Sequence, residues 1–346
     1  MKKLVLASAL LTASLVSAQQ VSNITGSGAS FPFPLYTEMF NAYKTTTGVS
    51  VNYASKGSGG GKRDIINRVV DFAGSDAPFS ATETKDAPAE VAFVPMALGA
   101  VVPTYNIPGV TTKLKFTGAL LADIYMGKVK KWNDTAIASI NKGVKLPDLN
   151  ITAVYRSDGS GTTSIWVDFL AKASTEWAAN VSKGAQSSVK FPVGVGGPQN
   201  AGVAGLVRQT PGAIGYVEVA YAKANKLEFG LVRNKTGKYV DGGDLKEVAA
   251  ASDAEILPAN GIDSITNSSI GYPISGYTWV LLYKDQKYGN RTKAQAKALV
   301  DLVQWMLSNK GQEFHDKLDY GRIDGQAAKV SKRIVESIKY GTESIQ

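Results

Sequence analysis

The sequence predicts an α/β protein of two lobes built on a largely parallel sheet. Three observations carry this expectation. Short strand-like runs alternate with amphipathic helical runs at the spacing of strand–helix–strand units. The chain, at 346 residues, exceeds the ~100–200 residues of a single domain. No internal repeat or low-complexity linker divides it. Short extended segments must therefore join the lobes, with Pro103-Thr104-Tyr105-Asn106 and Pro273-Ile274-Ser275-Gly276 as candidates.

Taken in order, Leu35, Met39, Phe40 and Tyr43 recur at helical spacing and Gly48 ends that helix. Val49, Val51 and Tyr53 alternate as a strand. Ile65, Ile66 and Val69 mark a second helix, and Val70-Asp71-Phe72-Ala73 reads as the next strand. Further helices are predicted around Leu120 to Met126, over Thr163 to Lys172 (Ile165, Trp166, Phe169, Leu170) and at Val203 to Val207. Strands are predicted at Ile151 to Tyr155 and Ala213 to Val217. A long helix is expected from about Thr292 to Asn309, with Leu299, Leu302, Val303 and Met306 on its apolar side. Residues 234 to 271, rich in Gly, Asp, Asn and Ser, read as surface loops.

Composition narrows the function classes. A positive start (Lys2, Lys3), an apolar run from Leu4 to Val16 and Val16-Ser17-Ala18 describe a secretory signal peptide over residues 1–18. About 328 residues, 346 less 18, then form an exported, soluble protein in a periplasm-like space. The chain has no cysteine. This excludes disulfides, thiolate metal sites, cysteine nucleophiles and a lipid-anchoring cysteine. The formal charge of +9 becomes +7 without Lys2 and Lys3. Lys and Arg are scattered, as suits solubility, and no basic stripe interleaved with aromatics points to nucleic acid.

The richest segment is Arg156-Ser157-Asp158-Gly159-Ser160-Gly161-Thr162. It lies between the Ile151 strand and the helix that follows. Such a turn leaves the first helical N–H groups without partners, and with the hydroxyls of Ser160 and Thr162 they suit an anion. Arg156 adds a planar fork of donors that Asp158 is placed to hold. Two further turns have the same character. In Thr25-Gly26-Ser27-Gly28-Ala29-Ser30-Phe31-Pro32, Ser30 can cap the next helix or meet a ligand, as can the Ser30 and Phe31 amides. Lys56-Gly57-Ser58-Gly59-Gly60-Gly61-Lys62 reads as a Gly-rich turn that lets backbone approach a ligand. Asp76, in Gly74-Ser75-Asp76-Ala77-Pro78, either caps its turn or accepts a hydrogen bond from a ligand that keeps a proton.

Rival chemistries fail on the residues. The Lys56–Arg63 stretch lacks the first Gly and the final Ser or Thr of a nucleotide-binding loop. The Gly-x-Gly-x-x-Gly pattern started at Gly26, Gly57 and Gly194 is broken by Phe31, Lys62 and Gln199. No Gly-x-Ser-x-Gly elbow is present. The single histidine, His315, reads as an isolated surface residue. Carboxylates show no metal-ligand clustering.

Together these segments resemble the periplasmic phosphate-binding proteins of phosphate-specific ABC transporters. The likeness extends through Asp123-Ile124-Tyr125-Met126-Gly127-Lys128, Lys131-Trp132-Asn133-Asp134 and Pro211-Gly212-Ala213-Ile214-Gly215-Tyr216-Val217. It covers most of the mature chain. It implies an α/β two-lobed periplasmic-binding-protein fold of type II with two chain crossings, lobe I being 19–104 plus 277–346 and lobe II 105–276. It also implies dehydrated inorganic phosphate held by Ser30, the Phe31 N–H, Ser58, Asp76, Arg156, Ser160, the Gly161 N–H and Thr162, with Asp158 pairing the arginine. No cofactor, metal or catalysis is implied. The expected partners are phosphate and the membrane permease of an ABC importer, with a monomeric receptor and no nucleic acid. Departures are Ser30 for Thr, Gly59 for a second Ser, and a missing proline in Arg322-Ile323-Asp324-Gly325, a stretch tied to permease docking. The alternatives are a receptor for another oxyanion, an exported phosphatase using the same cradle, or an adhesive or signalling protein with structural phosphate.

Overall fold

The computed structural model describes residues 21–254 and 256–345; the expected signal peptide lies outside them. Among the described residues nine strands form one sheet. Its order is Ser50–Ser55, Asn23–Gly28, Phe72–Ser75, Ser275–Tyr283, Val91–Tyr105, Ala213–Glu218, Thr152–Arg156 and Val195–Gly197, with Glu228–Phe229 added to Val91–Tyr105. Pairing is parallel around Asn23–Gly28 at one end and around Thr152–Arg156 at the other. It is antiparallel in the middle, where Ser275–Tyr283 and Val91–Tyr105 run side by side. The sheet is thus mixed rather than largely parallel, because the strands joining its two halves run against their neighbours.

Val91–Tyr105 organises the molecule. It pairs with Ser275–Tyr283 from Val91 to Ala100 and with Ala213–Glu218 from Val101 to Tyr105, so one continuous strand serves both lobes. All but its first residue are buried. The strand is not predicted from sequence because Pro95 and Pro103 argue against a central strand. Pro95 is accommodated where the register shifts between Thr278 and Trp279, which leaves Met96 unpaired in the ladder. Proline removes one ladder N–H, and a bulge is where that loss is tolerated.

The bulge explains His315. The residue is fully buried, contrary to the surface position expected, and its Nε2 lies 2.9 Å from the Met96 carbonyl. A carbonyl only accepts, so Nε2 carries the proton. Burial holds the imidazole below its usual pKa and therefore neutral. The Ser331 hydroxyl donates to the Pro95 carbonyl (3.0 Å), and Leu98 and Gly321 exchange backbone bonds. The C-terminal helices so satisfy groups that the bulge frees from the ladder.

The helices follow the predicted order with instructive shifts. Phe33–Thr47 buries Leu35, Met39, Phe40 and Tyr43 and ends at Gly48, whose φ of 77° is left-handed. The second helix spans Ser58–Ile66, so Gly59, Gly60 and Gly61 are helical rather than a turn, and Val69 lies beyond its end, exposed. Packing decides this against propensity. A Cβ on Gly61 would stand 2.5 Å from the Gly28 Cα and 2.9 Å from the Gly74 carbonyl, so only glycine lets this helix sit so close to the sheet. The neighbouring strand begins at Phe72 rather than Val70, while Asp71 accepts from the Thr25 amide (2.7 Å) and pairs with Arg291.

The remaining helices include Gly118–Tyr125, Gly161–Ala173, Gln199–Gln209 and Lys293–Leu307. Residues 234–271 are not all loop. They contain the strand Tyr239–Val240 and the helix Leu245–Asp253, capped by Asp244 and anchored by buried Val248 and Ala251. That apolar face is too narrow to stand out in a polar stretch.

Candidate functional site

The three predicted turns and the Asp76 segment all end at the cleft between the lobes, and each is delivered by the C-terminal end of a strand. Asn23–Gly28 leads to Ser30 and Phe31, Ser50–Ser55 to Ser58, Phe72–Ser75 to Asp76, and Thr152–Arg156 to the segment 156–162. Ligands bind outside the carboxyl ends of strands in open α/β sheets because helix N-termini and loop amides converge there. Ser30, Phe31, Ser58, Asp76, Arg156, Ser160 and Thr162 are all at most 5% exposed, and Gly161 is buried with them.

Arg156 is held on one edge by Asp158. Its Nε donates to Asp158 Oδ1 (2.8 Å) and one terminal nitrogen donates to Oδ2 (2.6 Å). The other terminal nitrogen donates to the Thr162 hydroxyl at 3.2 Å. A guanidinium has five N–H bonds, so these three leave one N–H on each terminal nitrogen. Asp158 also accepts from the Gln199 amide at 2.9 Å. Its partial burial would raise its pKa, but the bonds and charge of Arg156 and the Gln199 amide hold it below the usual carboxylate range. The pair is ionised, and most of the arginine's charge is compensated.

Asp76 faces the opposite balance. Its Oδ1 accepts from the Thr278 hydroxyl (2.8 Å) and its Oδ2 lies 3.3 Å from the Ser58 hydroxyl. Burial nevertheless pushes the carboxyl up to about 7, against the lowering influences of Thr278, Arg156 and Ser58. The alternative role, capping its own turn, falls to Ser75, whose hydroxyl bonds both the carbonyl and the amide of Ala77.

The serines divide their work. Ser58 Oγ accepts from the Asp76 amide (3.1 Å) and, across the cleft, from the Gly161 amide (3.0 Å). Ser160 caps the helix Gly161–Ala173 by accepting from the Thr163 amide at 3.0 Å. Ser30 does not cap the helix that follows it; its Oγ accepts from the backbone and side chain of Asn200 at 3.1 and 3.0 Å. Phe31 is fully buried and its carbonyl accepts from the Tyr320 hydroxyl (2.7 Å), while its N–H has no acceptor among the described residues. An unpaired buried N–H is uncommon and marks a place where a further acceptor fits.

Sequence reasoning misses several residues that complete this network: Thr278, Asn200, Gln199, Tyr216 and Tyr221. Thr278 is a threonine in the otherwise aromatic and aliphatic run from Tyr277 to Tyr283, which is the signal that could have found it. Asn200 and Gln199 begin the helix Gln199–Gln209 after Gly196-Gly197-Pro198, a fourth strand-to-helix turn like the other three. Gln199 adopts a left-handed φ of 59°. Its side chain crosses the cleft, donating to the Ser55 carbonyl (2.8 Å) and accepting from the Ser55 hydroxyl (3.0 Å). Tyr221 donates to the Ser30 carbonyl at 2.6 Å. The Tyr216 hydroxyl bonds both the Arg156 amide and Thr163. The Gly59 amide donates to the Gly159 carbonyl at 2.9 Å, so the lobes touch and the clamp is shut.

Two lobes shut over a buried cleft define a substrate-binding protein of the clamp class. A family model for the PBP superfamily domain matches residues 14–310. The phosphate-binding protein PstS of Pasteurella multocida is 41% identical over 316 residues, covering 90% of this chain and 89% of that protein. PstS of Haemophilus influenzae is 39% identical over 327 residues, covering 93% and 95%. The fold matches the solved phosphate-binding protein of Stenotrophomonas maltophilia with a TM-score of 0.72 at 19% identity, over 90% of this chain and 93% of that one. The chain therefore belongs to the PBP superfamily and, within it, to the family of phosphate-binding proteins named PstS. Among the described residues no cluster of three or more His, Asp or Glu is placed to hold a metal, and no helix is long and apolar enough to cross a membrane.

Proposed function

We propose that this protein binds inorganic phosphate between its lobes and delivers it to an ABC importer. One observation carries the reading: a buried arginine, largely neutralised by Asp158, presents two free N–H groups in the same cleft as a buried carboxylate, Asp76. An anion that keeps a proton needs both, donors for its bare oxygens and an acceptor for its hydroxyl. Ser30, Phe31, Ser58, Asp76, Arg156, Ser160, Gly161 and Thr162 are the proposed contacts. Ser30, Phe31, Ser58 and Asp76 belong to lobe I (19–104 and 277–346) and the others to lobe II (105–276), so the ligand favours the closed state through contacts that the open one lacks. The receptor is read as an exported periplasmic monomer that performs no chemistry and needs no cofactor.

The test is a titration of phosphate-stripped protein with phosphate, arsenate and sulfate, alongside solution scattering and a phosphatase assay. Phosphate and arsenate bind and lower the radius of gyration, sulfate does neither, and no hydrolysis occurs. A scattering profile unmoved by phosphate overturns the clamp, and turnover of a phosphomonoester overturns the receptor reading.

Gly161→Ala probes closure directly. A Cβ there would stand 2.5 Å from both the Cβ and Oδ2 of Asp76 and 2.6 Å from Ser58 Oγ, all in the opposite lobe. Alanine suits the start of a helix, so the ligand-free open protein keeps its thermal stability while the closed complex is overpacked. Overpacking costs ~1–3 kcal/mol, so phosphate affinity falls by roughly 5- to 150-fold. Unchanged affinity by calorimetry would show that the lobes do not close to this contact.

A further inference from the structure

Asn200 touches the cleft without being an expected ligand contact, and its geometry is unusually constrained. It is fully buried, and its Oδ1 accepts from the Glu218 amide at 2.9 Å. A backbone N–H can only donate, so the amide's orientation is determined: Oδ1 faces Glu218 and Nδ2 faces the site. Nδ2 lies 3.0 Å from Ser30 Oγ and 3.1 Å from Thr162 Oγ1, one hydroxyl from each side of the cleft. The Asn200 backbone amide also donates to Ser30 Oγ (3.1 Å), and Arg156 also donates to Thr162 Oγ1. Each hydroxyl oxygen therefore accepts two hydrogen bonds, which uses both of its lone pairs. What remains on each is its proton, which has no acceptor among the described residues.

We propose that Asn200 is a positioning residue that makes Ser30 and Thr162 obligate hydrogen-bond donors toward the ligand. A free hydroxyl is ambivalent and can meet a protonated or an unprotonated oxygen. With its lone pairs filled it can meet only an unprotonated one. The cleft then offers donors at Ser30 and Thr162 and its acceptor at Asp76, which dictates where the ligand's proton must lie. Because its two bonds reach opposite lobes, Asn200 can set both polarities only when the clamp is shut. The role rests on the phosphate-binding reading above.

The test is a mutant cycle read by phosphate titration on native protein, Asn200→Ala, the double variant Ser30→Ala/Thr162→Val, and the triple variant. Losing the orientation of two hydrogen bonds weakens Asn200→Ala by about 100-fold. If Asn200 acts through these hydroxyls, adding Asn200→Ala to the double variant costs less than about 3-fold. The same loss on both backgrounds overturns the proposal and leaves Asn200 a structural residue. Asn200→Asp keeps the shape, guards against misfolding of the alanine variant and adds a pH readout. The carboxylate reverses both hydroxyls at pH 8, and affinity relative to native recovers in part toward pH 5, where a neutral carboxyl with its single proton donates to one of the two hydroxyls again. A native-to-variant ratio that is flat with pH overturns the proposal. Failure of native protein to bind phosphate instead overturns the function on which the proposal rests, so the two failures are distinct.

Discussion

Asp76→Asn is expected to narrow the preference for phosphate over sulfate by ~100-fold or more, out of a native ratio of ~10⁴. Phosphate and sulfate share size and shape, so Arg156 and the surrounding donors cannot separate them. At neutral pH phosphate keeps a proton and sulfate has none. The Asp76 carboxylate accepts that proton's hydrogen bond, whereas facing sulfate it meets only lone pairs in a site closed to water. An amide can instead turn its NH₂ toward a bare oxygen. Burial pushes the Asp76 carboxyl up to about 7, so pH moves the same balance. As pH falls below about 7 in native protein, the neutral carboxyl can itself donate to sulfate and the ratio narrows. A raised acid pKa means that the folded protein with its cleft shut holds a proton that the unfolded chain has released. Its contribution to stability is therefore present below the ordinary value of 3.8 and is lost as pH rises to about 7. Titrating both proteins with both ions decides the matter, since a ratio unmoved by the substitution removes Asp76 from the role.

Arg156→Lys is expected to cost ~2–4 kcal/mol of phosphate binding, the range for breaking a buried charged pair. Lysine keeps the charge and loses the geometry. The guanidinium bonds Asp158 through two nitrogens along one edge and still has one N–H left on each terminal nitrogen. A single ammonium cannot hold Asp158 and present a bidentate face at once. Asp158 would be left partly unpaired, and its bond to the Gln199 amide would no longer organise the turn around the arginine. Calorimetry on the variant reads this directly, and near-native affinity would show that Arg156 contributes charge alone.

Most of the element order was legible because amphipathic spacing survives whatever packs against it. The helices at Leu35 and Thr292 bury the residues their periodicity selects. Where prediction failed, tertiary contacts outweighed local preference. Val91–Tyr105 is a central strand despite two prolines because a bulge absorbs Pro95, and His315, read as a surface residue, is buried against that bulge. Gly59 to Gly61 are helical despite poor propensity because the sheet lies too close for a side chain.

The candidate site divides in the same way. The residue types that can handle an oxyanion (Ser30, Ser58, Asp76, Arg156, Ser160 and Thr162) sit in short glycine-rich motifs, whose chemistry is local and can be read from sequence alone. Glycine, hydroxyl and arginine at a strand-to-helix turn carry their meaning wherever the turn is placed. Thr278 and Asn200 carry no such meaning, since one is a threonine in an apolar strand and the other an asparagine at a helix start. Pairing of distant strands within one lobe brings Thr278 onto Asp76, and only the closing of the two lobes puts Asn200 between Ser30 and Thr162. Residue type and local turn geometry set which groups are available to an anion. Tertiary contacts set which way their protons point, because a hydroxyl's polarity is set by whatever fills its lone pairs, and the Asn200 amide that completes both sets lies 38 and 170 residues away from Thr162 and Ser30 along the chain.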